Sequence, residues 1–353
     1  MASQGVYRTV LNALYFSGAQ MVSRPWSGGL GAILMLHRVD DTRWDEFAPN
    51  AHLTVSPKFL DHLFPHLKRQ GYEFVALDEV LTRLRDDRPH RPRERFVAVT
   101  LDDGYRDNLQ NAVPVFRKHA VPFTIFVAPG LVEGRATLWW EDLEAVIARR
   151  DRFALNSPRG RVDFDVSSPA SKRRAYGEIM ALLTGVIGED EQRRMVAELA
   201  GQAGIDTEAH RAASIMNWRE IVELSRDPLC TIGAHTVHHF ALARLDADRA
   251  CAEMEESARI LEMETGHRPK HLAYPYGYPS AVGRREFEMA GQAGFDSAVT
   301  TRHGVLYPGH ADHLHALPRV ALNGNFQAIR YVDTLLSGLP TRLANHGRKL
   351  NVT

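Results

Sequence analysis

Phe96-Val97-Ala98-Val99-Thr100-Leu101-Asp102-Asp103-Gly104-Tyr105 is the stretch from which the rest of the 353-residue chain can be read. Its first half is short, apolar and rich in β-branched residues, which predicts a buried strand. Two adjacent carboxylates then stand at the strand's C-terminal end. Burying them is costly unless a cation, a proton or hydrogen-bond donors compensate. Gly104 lets the chain turn sharply at that point. The expectation is that other segments supply metal ligands and walls around Asp102 and Asp103.

Outward from this strand the pattern repeats. Upstream, residues 32–36 form an apolar run ending at His37 and Arg38. Ser56-Pro57 reads as a helix start, with Phe59, Leu60, Leu63, Phe64 and Leu67 on one face and Gly71 as its stop. A short strand at 74–77, a helix at 78–84 and a charged, proline-bearing surface loop at 86–95 come before the aspartate strand. Downstream, a helix at 108–119 precedes a strand at 123–127. After an interruption come strands at 230–234, 271–274, 295–300 and 316–322, with helices at 246–265 and 282–293. Alternating strands and helices argue for a parallel sheet covered by helices, open or closed into a barrel. Between about residues 134 and 227 the rhythm breaks into helical patterns, so an insertion is expected there. The organisation is then an N-terminal helix at 1–27, a β/α unit at 28–325 carrying the insertion, and a C-terminal helix with a loosely held tail at 326–353.

Composition narrows the functional classes. Forty-three basic and forty-three acidic side chains cancel, so bulk charge gives no push toward nucleic acid, and no nucleic-acid partner is expected. Two cysteines exclude a disulfide framework and a Cys-based zinc site. No apolar run approaches the roughly 20 residues of a membrane span. The first 26 residues lack a basic head, a continuous apolar core and a small-residue cleavage site, so the expected location is cytoplasmic. Val6, Val10, Leu11, Leu14 and Val22 fall near helical spacing. The plain reading is a helix packed on the domain. The second reading is a helix that lies on a membrane surface or docks a partner, which would make the location peripheral.

The residues able to do chemistry fall at strand ends. Asp102 and Asp103, His235, and Pro275-Tyr276-Gly277 each close a predicted strand, and in β/α folds that rim is where sites form. His235 and His239, four apart on one turn, can point two imidazoles at one cation. With one carboxylate they make a three-ligand set suited to zinc or another first-row divalent ion. Trp139, Trp140, Tyr276 and Tyr278 are candidates for stacking against a substrate ring, with core packing as the ordinary alternative for the tryptophans.

Thr100-Leu101-Asp102-Asp103-Gly104, His235-Thr236-x-x-His239 and Tyr274-Pro275-Tyr276-Gly277 together resemble the first three motifs of the polysaccharide deacetylases. This carbohydrate esterase group includes chitin, peptidoglycan and nodulation-factor deacetylases. The resemblance implies a distorted, incomplete β/α barrel and hydrolysis of N-acetyl groups on an amino-sugar oligosaccharide or polysaccharide precursor. By position it makes Asp102 the general base and Asp103, His235 and His239 the ligands of a divalent metal, most simply zinc. A metal-activated water would attack the acetamide, and the Tyr276 N–H would stabilise the oxyanion beside Pro275 and Trp140. The chain departs from the family twice. Ala273 stands where many members carry an arginine that pairs with the base, which makes Arg319 the first candidate to replace it and Arg38 the second. No segment matches the late Leu-x-His motif of the general acid, leaving His37, His303, His313 and His315 open. The rival expectations are a catalytically silent glycan-binding protein that keeps the metal, and an O-deacetylase or deformylase.

Overall fold

Seven parallel strands close into a barrel in chain order: β1 (Gly31–Leu36), β2 (Arg95–Leu101), β3 (Phe123–Val127), β4 (Cys230–Ala234), β5 (His271–Ala273), β6 (Ser297–His303) and β7 (Leu317–Ala321). β1 completes the ring by pairing with both β7 and β2, with Leu34 opposite Val320 on one side and Val99 on the other. The computed structural model describes residues 4–42, 44–86, 95–157 and 160–352. The surface loop expected at 86–95 therefore falls almost wholly outside the described residues. The expected barrel is present, with seven strands rather than eight. A short strand, Tyr72–Phe74, pairs with the start of β2 beside the ring.

Strands buried on both faces explain the unbroken apolar runs. In β2 the alternation is visible residue by residue. Val97, Val99 and Leu101 face outward into the large core shared with the surrounding helices. Phe96 and Ala98 face inward, where they meet Ile33, Phe126, Ala273, Val299 and Leu317. The helix Leu77–Leu84 adds Val80, Leu81 and Leu84 to this inner cluster and so fills the lower barrel with hydrocarbon. The same period places Thr100 and then Asp102 inward, one step nearer the C-terminal mouth. The barrel is apolar at its floor and polar at its rim.

Three expectations are corrected. The segment at 134–227 is not purely helical. Besides helices such as Trp139–Arg149, Pro169–Gly185 and Glu189–Gln202 it carries an antiparallel hairpin, Arg152–Ser157 with Gly160–Asp165, whose Phe153 and Phe164 rings stack at 5.4 Å. The N-terminal stretch is two helices, Gln4–Phe16 and Ala19–Ser27, broken at Gly18 with φ +73°. Leu11 is buried, but Val6, Val10 and Val22 face solvent. The tail is not loose: a second helix, Leu339–Ala344, follows Ile329–Leu336, and Asn351 Nδ2 donates to the His303 carbonyl at 3.2 Å. Among the described residues no helix is long and apolar enough to cross a membrane.

Candidate active site

The ends of β2, β4 and β5 meet at the mouth, and the backbone there is unusual. Asp103, Thr236, His239 and Tyr276 all have positive φ, between 56° and 73°. Side chains with a Cβ avoid that region, a β-branched threonine most of all, and such strain collects where function over-determines a conformation. Gly277 turns the third segment at φ +59°; a Cβ there would lie 2.4 Å from the Thr301 nitrogen.

Asp102 is 2% exposed and Arg319, on β7, is 1% exposed. The guanidinium reaches across the barrel to Asp102 in a two-pronged contact, Nη1 to Oδ1 and Nη2 to Oδ2, each at 2.7 Å. Nη1 also donates to Thr100 Oγ1 at 3.1 Å, and Nε donates to the Thr300 carbonyl at 2.9 Å. Burial alone would push the Asp102 carboxyl up; the Arg319 charge outweighs it and holds the group below its ordinary value. Arg38 does not share this task. It pairs with Asp107 at 2.8 Å and Glu141 at 3.2 Å.

Asp103 points the other way. Its Oδ1 lies 3.3 Å from His235 Nε2 and 3.2 Å from His239 Nε2. The three ligand atoms lie within 4.8 Å of one another, and all three residues are buried. Among the described residues the buried Oδ1 atom has no hydrogen-bond partner, an arrangement that suits a bound cation. His235 Nδ1 meets the Ala273 carbonyl at 2.7 Å, which turns Nε2 toward the common point. Ala273, the position lacking the family's arginine, thus orients a histidine through its backbone. Asp103, His235 and His239 together fit a divalent metal.

The histidine loop is clamped from outside. Glu253, on the helix Ala247–Thr265, accepts hydrogen bonds from the Val237 and His238 N–H groups at 2.9 and 2.8 Å, and meets His238 Nδ1 at 2.6 Å. His238 is therefore turned away from the ligand set. Arg193, on the insertion helix Glu189–Gln202, donates to the His239 carbonyl at 2.7 Å. The aromatic wall is also drawn from the insertion. Trp140 packs on the His239 ring at 4.9 Å, with Tyr276 packed on that ring at the same distance. Trp139 Nε1 donates to the Tyr276 hydroxyl at 2.8 Å. Both tryptophans are buried, so they line the site as packed wall rather than as an open stacking platform. Among the described residues the Tyr276 backbone N–H has no acceptor.

Of the four histidines left open, one is at the mouth. His37 Nε2 lies 3.9 Å from Asp102 Oδ2, and the side chain is 21% exposed. His303 is bonded to Thr341, His315 to the Phe295 carbonyl, and His313 sits in the turn before β7. Tyr105, Glu141, Arg193 and Glu253 were not singled out from the sequence. Tyr105 directly follows the aspartate motif, and its hydroxyl donates to Glu141 at 2.8 Å; the others lie on ordinary amphipathic helices with no local signal.

Residues 90–155 and 192–296 match the family model for polysaccharide deacetylase. Over these two stretches the chain carries a polysaccharide deacetylase domain. YxkH of Bacillus subtilis (strain 168), whose own assignment as a polysaccharide deacetylase is provisional, is 36% identical over 75 residues, covering 21% of this chain and 26% of that protein. The chain is thus aligned with about a quarter of that relative's length. Among solved structures, the Streptococcus pyogenes deacetylase PplD in complex with acetate superposes with a TM-score of 0.57 at 19% identity, covering 86% of this chain and 97% of that one. IcaB from Ammonifex degensii gives 0.54 at 19% identity, covering 88% and 98%. A de-N-acetylase from Aggregatibacter actinomycetemcomitans gives 0.55 at 13% identity, covering 86% and 99%. At these identities the likeness is one of fold. It places this chain's seven-stranded ring with the barrel folds of these three proteins.

Proposed function

We propose that the chain is a metal-dependent deacetylase that removes N-acetyl groups from an amino-sugar oligosaccharide or polysaccharide precursor. One observation carries the reading: an arginine-held carboxylate, Asp102, stands beside a buried carboxylate–imidazole–imidazole set at one barrel mouth. Asp103, His235 and His239 would hold the cation. Zinc or another first-row divalent ion bound there supplies Lewis acidity to the amide carbonyl and to a water.

The remaining steps belong to the chain. Asp102, kept ionised by Arg319, takes the proton from the attacking water. As the water oxygen bonds to the carbonyl carbon, the Tyr276 N–H donates to the oxygen that gains negative charge. Beside Pro275, the Trp139 contact and the Thr301 hydroxyl, which donates to the Tyr276 carbonyl at 2.5 Å, hold Tyr276 in its positive-φ conformation for this purpose. Trp140 packs behind His239 and shields the ligand set from bulk water. His37 gives a proton to the nitrogen as the C–N bond breaks, which releases acetate and leaves a free amine on the sugar. The silent glycan-binding reading is disfavoured because Asp102 and its arginine partner are both in place. The test is acetate release from N-acetylglucosamine oligomers before and after chelation. Asp102→Asn should lose turnover and keep the metal, and His239→Ala should lose both. Turnover undiminished after complete metal removal would overturn the reading.

A further inference from the structure

We propose that the outward face of the N-terminal helices and the last helix seats the protein on an anionic lipid surface. The helix Ala19–Ser27 is inside out: Gln20 and Ser27 are buried, while Met21, Val22 and Trp26 are 70%, 66% and 66% exposed. Val22 and Trp26 are four apart and share one face, with the exposed Met21 on its flank. Phe16, at the end of the preceding helix, is 75% exposed, and Val10 on the same helix is 44% exposed. Leu343, 59% exposed, lines a cleft with Trp26, Arg342 and His346. Eight of the twelve large exposed hydrophobics among the described residues fall on these three helices, so this is a patch and not scattered exposure.

Charge decides what covers the patch. Residues 1–39 and 334–353 contain no Asp or Glu, although the chain carries forty-three acidic residues elsewhere. Arg8, Arg342, Arg348 and Lys349 belong to the same two segments, whereas Arg24 packs on the Tyr72 ring and Arg38 is paired with Asp107 at the mouth. A second copy docked through this face would bring these cations together without a counter-charge. An anionic bilayer satisfies both features, apolar side chains entering the interface and cations meeting headgroups. Tryptophan is also suited to that boundary.

The geometry leaves the active-site mouth clear. The helix Ala19–Ser27 lies against the N-terminal ends of the strands, where Arg95 Nη2 donates to the Arg24 carbonyl at 3.2 Å and the Tyr307 hydroxyl donates to the Ser27 carbonyl. The mouth is at the other end of the barrel, roughly 20 Å of strand away. Lipid contact and glycan access do not compete.

Co-sedimentation of the full chain with vesicles tests this without reference to catalysis. Vesicles of phosphatidylcholine with about a third phosphatidylglycerol should bind at least roughly tenfold more tightly than phosphatidylcholine alone, with binding falling as salt rises. Replacing Met21→Ser, Val22→Ser and Trp26→Ser together should abolish it. Arg348→Glu with Lys349→Glu, both on exposed residues, should weaken it while leaving thermal unfolding unchanged. Absence of binding to the anionic vesicles by the folded protein would overturn the proposal. So would a concentration-dependent dimer that the triple replacement dissolves.

Discussion

Arg319 grips Asp102 through two parallel hydrogen bonds of 2.7 Å at the barrel mouth. Asp102 ends β2, while Arg319 lies on β7, two strands away around the ring through β1. The fork fixes the carboxylate's plane as well as its charge, which a lysine's point charge cannot do. Arg319→Lys should therefore keep most of the fold and the bound metal, but lower kcat by roughly 100-fold or more. Arg319→Ala leaves a buried carboxylate unpaired and should cost about 3–5 kcal/mol of stability. Steady-state kinetics with metal content and thermal unfolding separate the two effects. A lysine variant with unchanged kcat would remove the positioning role.

His37 stands 3.9 Å from Asp102 at the open side of the site, where a leaving amine would depart. An amine must gain a proton to leave; a nitrophenolate need not. His37→Gln should lower turnover of N-acetylglucosamine oligomers by about 100-fold or more, while hydrolysis of p-nitrophenyl acetate stays close to the unaltered protein's. Equal losses on both substrates would assign His37 to binding or folding instead of proton donation.

Much of this was readable in the sequence because the decisive signals are local. The unbroken apolar run at 96–99 and the residues closing each strand point to both the barrel wall and the carboxylates at its rim. Arg319 could be named as the candidate partner of Asp102, but the two-pronged contact itself exists only once β7 closes the ring. The hairpin at 152–165 carried the period-2 pattern Phe153, Leu155, Val162 and Phe164, which the surrounding helical patterns masked. The N-terminal helix misled for a physical reason: helical spacing of apolar residues predicts a buried face, and here most of that face points outward. The clamp made by Glu253 and Arg193 had no sequence signal at all, since both sit on long amphipathic helices and act only through tertiary contact.

That clamp makes its own prediction. Glu253 satisfies two backbone N–H groups and the His238 ring in a loop that bends through positive φ at both Thr236 and His239. Removing it frees the loop without touching a ligand atom. Glu253→Ala should weaken metal affinity by roughly 10- to 100-fold, with kcat restored at saturating metal. Metal titration followed by calorimetry reads this directly. A fall in kcat that excess metal does not repair would mean Glu253 acts on something other than the ligand loop.

The insertion is tied to the mouth through His210, and pH should reveal it. His210 meets Asp142 at 3.2 Å and Glu141 at 3.1 Å, and Glu141 in turn holds the Tyr105 hydroxyl and Arg38. Hydrogen bonds to Asp142 and then Glu141 raise the His210 imidazole to about 9, from an ordinary 6.5. The folded form therefore binds the proton more tightly than the unfolded chain. The stabilisation is full below pH 6.5, where both states are charged, and is lost as pH rises through 9. A shift of that size corresponds to about 3 kcal/mol at most. With 33% of the ring exposed, about 1–2 kcal/mol of it should survive screening. Glu141 behaves in the opposite sense: burial pushes its carboxyl up, but His210 and Arg38 bring it below its ordinary value, so its share persists until pH falls past the usual carboxylate range. Denaturant unfolding of the unaltered protein should weaken between pH 6.5 and 9, whereas His210→Gln should be less stable at pH 6.5 and nearly flat across that window. Parallel pH profiles for the two proteins would show that the His210 contacts add nothing to the stability of the insertion.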